Sequence, residues 1–150
     1  MQSENIDMIV IKTREEIELM RESALVVSKT LGMLAKEVKA GVTTQQLDTL
    51  AEDFIRSQGA IPGFLGLYDC PSTLLCSVNE AVVHGLPTNI PLKEGDIISI
   101  DCGCGPEVNH LVKSFDHSIS VACNFTQNGA KLWLVFSDVE EGSHRVTDPG

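Results

Sequence analysis

The chain has no excess of positive charge, no CxxC pair and no long apolar run, and each absence excludes a class of function. Lys and Arg number 11 against 21 Asp and Glu, so the net charge is −10. A surface of that sign repels a phosphate backbone, which argues against a nucleic-acid partner held by basic side chains. No apolar stretch approaches the length of a bilayer span, which argues against a membrane partner. The N-terminus, MQSENIDMIVIK, has no basic start and no apolar h-region, so a cytoplasmic protein is expected. The cysteines are Cys70, Cys76, Cys102, Cys104 and Cys123. Their odd number and spacing argue against a disulfide framework. Cys102 and Cys104, two apart and without a second pair, read as free thiols near a loop rather than as a zinc site.

What is present fits one domain with a modest core: 150 residues, 43% hydrophobic and 21% charged. Residues 1–12 read as an N-terminal extension, with Met8–Ile11 as a short edge strand. Thr13 and Glu16 form a capping box, and Ile17, Met20, Ala24, Val27, Leu31, Leu34 and Val38 follow at helical spacing. This helix is expected to stop near Ala40–Gly41. Thr43 and Gln46 offer a second capping box, opening a helix to Gly59 with Leu47, Leu50, Phe54 and Ile55 as its apolar stripe. Both helices read as scaffold. The segment 60–73 is unusual for a loop, because Phe64, Leu65, Leu67 and Tyr68 are set among Gly and Pro. Such a segment either tucks under a sheet or forms a pocket wall.

The stretch Asn79–Asp101, NEAVVHGLPTNIPLKEGDIISID, organises the rest. Leu74–Val78 and Ala81–His84 read as strands with a break at Asn79–Glu80, and Asp96–Asp101 as another. His84 and Asp101 then stand at strand ends beside turns, where site residues are often placed. Taken singly, each has a plainer reading: a hydrogen-bonded structural His, and an Asp that forms a turn.

The strings SVNEAVVHGLP and PLKEGDIISID, with IPGFLGLYDCPSTLLCSVNE just upstream, resemble the core of type I methionine aminopeptidases. The resemblance is near-continuous from about Ile11 to Gly103. It implies an α/β (α+β) fold, the N-terminal half of a pita-bread arrangement, with two helices packed on a mainly antiparallel sheet. It implies hydrolysis of the bond after an N-terminal methionine, through two divalent metal ions such as cobalt, manganese, iron or zinc. Carried over residue by residue, His84 matches the substrate-side His and Asp101 the first metal-binding Asp. Phe64, Leu67, Cys70 and Leu75 fall where the family lines its methionine pocket.

After Gly103 the likeness thins. The family returns from this strand through a hairpin to a second metal-binding Asp, usually preceded by Gly. Here the loop is longer, and the candidate is Asp116, preceded by Phe115. DHSISV alternates like the returning strand, and an even insertion keeps Asp116 on the same face. His110, His117 and His144 read as surface residues. The half-domain is expected over 13–121 and a divergent tail over 122–150. KLWLVFSDVEEG falls where the family has a helix, although Leu132–Phe136 is equally strand-like. The family's remaining His and two Glu ligands have no counterpart in the chain. Three readings follow: a truncated aminopeptidase homologue, a non-catalytic peptide- or protein-binding module of the same fold, or a broken product without function. A half-fold of this kind would expose an apolar sheet face, which pairing of two copies could cover.

Overall fold

A computed structural model describes residues 11–106, 119–126 and 129–137. Helix α1 spans Arg14–Glu37 and α2 spans Thr44–Ser57. The strands are β1 (Ala60–Pro62), β2 (Leu74–Val78), β3 (Ile98–Pro106), β4 (Ile119–Thr126) and β5 (Gly129–Ser137). A short 3-10 turn, Leu67–Asp69, lies between β1 and β2.

Both helices start where their caps dictate. The Thr13 hydroxyl accepts from the Glu16 N–H at 3.2 Å, and the Glu16 carboxylate accepts from the Thr13 N–H at 2.6 Å. Thr43 and Gln46 repeat the arrangement at α2. Reciprocal capping of this kind satisfies donors that the first helical turn leaves open. α1 ends at Glu37, short of the expected Ala40–Gly41. The segment after it is drawn into pairing instead: Gly41 N–H donates to Leu92 O, and Leu92 N–H to Val42 O, both at 2.8 Å. Gly41 sits at φ +92°, a conformation that favours glycine.

β3 is the central strand. β1 and β2 pair with its one edge and β4 with the other, while β5 lies outside β4, and all these pairings are antiparallel. The helices cover one face. Val27, Leu31 and Leu34 of α1 and Leu47, Ala51 and Ile55 of α2 pack with Leu74, Cys76, Ile98, Ile100, Cys102 and Cys104 of the sheet. Ala51 takes the place expected for Leu50, which is exposed, and Ile17 at the start of α1 is 46% exposed.

Four expectations are corrected. Ala81–His84 forms no strand: Asn79 adopts φ +53°, the chain turns there, and Val82 is left 85% exposed. Asp101 is not at a strand end, because β3 runs on to Pro106. Cys102 and Cys104 are not loop thiols; they continue the inward alternation of β3 and are fully buried. Within 122–150, the segments through Thr126 and from Gly129 to Ser137 are strand, so the helix expected there is not formed over those residues. A fifth difference is an element that was not foreseen: the apolar segment opens with β1, paired to the far half of β3.

Candidate active site

Strand alternation sets the site face. Ile98, Ile100, Cys102 and Cys104 point toward the helices, so Ser99, Asp101 and Gly103 point the other way. Asp101 pairs with Leu75 on β2, and Ser99 with Ser77, which places these four residues on one patch of the uncovered face. On its other side Asp101 pairs with Ala122 of β4.

Asp101 is partly buried, and its Oδ1 is shielded from solvent with no hydrogen-bond partner among the described residues. Burial pushes the carboxyl above its ordinary range. The charge of His84 and the Cys102 N–H pull it part of the way back. A buried carboxylate oxygen without a donor is costly to keep, so it asks for a partner that the described residues do not provide. His84 thus stands within electrostatic reach of Asp101, 17 residues away in the chain.

His84 is exposed and carried by a loop, residues 80–96, rather than by a strand. Its backbone is left-handed, at φ +59°. Non-glycine residues adopt this conformation at some cost, and only where the surroundings enforce it. The enforcement is visible. At the neck of the loop, Asn79 N–H donates to Ile97 O at 2.9 Å, and Ile97 N–H to Asn79 Oδ1 at 3.1 Å. Asn79 Nδ2 also donates to Asp96 Oδ1 at 3.0 Å, and Asp96 Oδ2 accepts from the Lys93 N–H at 2.8 Å. These bonds, that from Asn79 first, hold the Asp96 carboxyl below its ordinary range. Next to His84, Cys76 N–H donates to Gly85 O at 2.6 Å, and Gly85 N–H donates to Ser77 Oγ at 3.1 Å. Farther along, Thr88 N–H donates to Thr44 Oγ1 at 2.7 Å, and Gln45 N–H donates to Thr88 O at 3.0 Å.

Of the residues expected at the site, Asp101 and Leu75 are paired across β3 and β2, and the charge of His84 reaches the Asp101 carboxyl. Phe64 is 8% exposed, and Leu67 and Cys70 are partly buried in the segment between β1 and β2. Cys70 Sγ lies 3.6 Å from Ser72 O, and Tyr68 beside it is 81% exposed. Asp116, His110, His117 and His144 lie outside the described residues. A cleft of about 480 Å³ between the end of α1 and α2 shares no residue with this face. Sequence reading gave no role to Ser77, Asn79 or Asp96. Their signal is present in SVNE and EGD, but hydrogen bonds between residues 8 and 17 apart are not legible from spacing.

The unpartnered Asp101 oxygen suits a hard cation, which takes oxygen ligands. Among the described residues no group of three His, Cys, Asp or Glu could close a coordination shell. Asp101 therefore fits as one ligand of a metal, and the described residues do not fit as its whole site.

Comparison with known proteins places this geometry in a family. The model of Metallopeptidase family M24 matches residues 18–109. The chain belongs to that family. Among curated relatives, the methionine aminopeptidase of Clostridium acetobutylicum is 53% identical over 97 residues. That of Clostridium perfringens is 49% identical over 96 residues. Each alignment covers 64% of this chain and 39% of the relative, so the chain spans about two fifths of their length. The solved methionine aminopeptidase of Rickettsia prowazekii superposes with a TM-score of 0.70 at 31% identity, over 79% of this chain and 45% of that one. The prolidase of Pyrococcus furiosus shares the fold at a TM-score of 0.61 and 18% identity. The fold is thus about half of a pita-bread methionine aminopeptidase, with two helices on an antiparallel sheet. No helix among the described residues is long and apolar enough to cross a membrane.

Proposed function

We propose that this chain carries the substrate-side imidazole and the first metal-side carboxylate of a methionine aminopeptidase site, which removes N-terminal methionine from peptides and nascent proteins. The observation that carries this reading is the Asp101 Oδ1, buried without a hydrogen-bond partner among the described residues, on a carboxyl that the charge of His84 reaches. The relatives named methionine aminopeptidase support it. Asp101 would hold a divalent cation, with Asp116 as the second carboxylate. When bound, such a cation polarises the scissile carbonyl and lowers the pKa of water, and cobalt, manganese, iron and zinc are the candidates. His84 binds and orients the substrate peptide. Leu75 beside Asp101, with Phe64, Leu67 and Cys70, forms the apolar wall for the methionine side chain.

A second reading has one observation in its favour: no group of three metal-ligating side chains stands together among the described residues. In it the same face binds peptides without hydrolysing them. Release of methionine from a Met-Ala peptide, measured on the purified chain with added manganese or cobalt, separates the two. Turnover that is lost in both His84→Ala and Asp101→Asn supports the first reading. Peptide binding that His84→Ala weakens, without turnover in the parent chain, supports the second. Turnover unchanged in both variants removes the site assignment.

A further inference from the structure

The loop that carries His84 leaves β2 at Asn79 and passes back over the same strand at Gly85. At this crossing the backbones are unusually close. A side chain at Gly85 would overlap the carbonyl oxygen of Cys76 and would meet the Cα of Ser77 at 3.0 Å. Only glycine permits that approach. Two hydrogen bonds hold it. Gly85 O accepts from the Cys76 N–H at 2.6 Å, and Gly85 N–H donates to the Ser77 hydroxyl oxygen at 3.1 Å. The second bond involves the peptide group that directly follows His84.

Ser77 is well suited to this task. It is 5% exposed, one residue before the end of β2. It pairs with Ser99 and points to the same sheet face as Leu75 and Asp101. A buried hydroxyl has a short reach and few alternative partners, so its hydrogen bond defines a position sharply. The adjoining residues Val82 and Val83 are 85% and 68% exposed and receive no such support. The exposed His84 is thus anchored through the Gly85 peptide that follows it.

We propose that Ser77 is a positioning residue: its hydroxyl fixes the Gly85 peptide and so holds the His84 imidazole in its left-handed perch facing Asp101. The inference rests on the site reading given above, but it concerns how His84 is held and is separable from turnover. Ser77 touches neither substrate nor metal in this account.

The test is nuclear magnetic resonance on the full chain, with parent and variants compared at one fixed pH. In the parent chain, Asp101→Asn shifts the ring signals of His84. In a Ser77→Ala background that response falls by half or more, and the Gly85 amide exchanges about tenfold faster, the loss of one hydrogen bond. A purely structural contribution would lower global stability without uncoupling His84 from Asp101. An undiminished His84 response in Ser77→Ala overturns the proposal. If Ser77→Ala does not fold, the parent chain decides alone: a Gly85 amide that exchanges as freely as those of Val82 and Val83 overturns it, and a protected one upholds it. Uncoupling in a chain that releases no methionine upholds the positioning role while the hydrolytic reading fails. Methionine release with undiminished coupling in Ser77→Ala does the reverse.

Discussion

Asp48 and Asp101 are two partly or wholly buried carboxylates with opposite circumstances. Asp48 is 5% exposed on α2, and its Oδ1 accepts from the Leu74 N–H at 2.7 Å, tying the helix to the start of β2. Burial pushes its carboxyl up. The N–H groups of Leu74 and Thr73 pull it down by less, and the charge of Glu52 adds to the upward side. The folded chain therefore holds this proton more tightly than the unfolded chain does. By linkage, Asp48 contributes stability at acid pH that is lost as pH rises from the ordinary carboxylate value through the folded one. Asp48→Asn should flatten that part of the stability profile while keeping an acceptor. Asp48→Ala should cost about 1–3 kcal/mol more than Asn at neutral pH, because buried N–H groups lose their acceptor. Urea unfolding from acid to neutral pH checks both, and equal costs for the two variants would contradict the assignment. Asp101 has no such structural duty. It is raised for the same reason, yet its Oδ1 has no partner among the described residues, which agrees with the metal-binding role proposed for it.

At the scale of elements, the loop 80–96 is the unit that matters. It is pinned at its neck by Asn79, Asp96 and Ile97, at Gly85 by Cys76 and Ser77, at Thr88 by α2, and at Leu92 by the segment after α1. α2 is thus part of the site's support as well as of the core. Thr44 is 2% exposed, and its hydroxyl accepts from the Thr88 N–H. Thr44→Val keeps the shape and removes that acceptor. It should lower stability by about 1–3 kcal/mol and speed amide exchange through residues 85–91 more than in β3. Uniform acceleration over the whole chain would show that Thr44 supports the fold and not the loop.

The same loop shows what sequence can and cannot convey. The two capping boxes were readable because all four of their residues lie within one helical turn. His84 and Asp101 are singled out by resemblance, not by any local pattern. The apolar run Ala81–Val83 looked like a strand, but strand propensity is weak beside the left-handed turn at Asn79 and the docking of Gly85 on β2. β1 was missed because three residues ending in Pro62 give almost no periodic signal, and its partner Cys104–Pro106 is more than forty residues away. For Leu132–Phe136 the pattern left helix and strand equally open, and pairing with β4 decided for strand. Non-local pairing decided each of these cases, and no local pattern encodes it.

On the scale of the whole molecule, the sheet has one face buried by two helices and one face that carries Leu75, Ser77, Ser99 and Asp101. The proposed site lies on the second face. β3 unites the two, since its alternate residues fill the core and build the site. The chain superposes on the Rickettsia enzyme over 45% of that enzyme's length. The register Asp101↔Ala122 matters here as well. Bringing Asp116 directly opposite Asp101 would require β4 to slide by six residues from the pairing that Ile119–Phe125 makes with Ile98–Cys104. A slide of six is even and would preserve which face each residue presents.

The central claim is that the Asp101 face binds the metal, and manganese titration of the isotope-labelled chain tests it most directly. Bound manganese broadens the signals of nearby nuclei. The account predicts broadening centred on Asp101 and spreading to Leu75, Ser99, Ala122 and the His84 ring, all of it abolished by Asp101→Asn. Broadening centred on another acidic surface, or unchanged in Asp101→Asn, would contradict it.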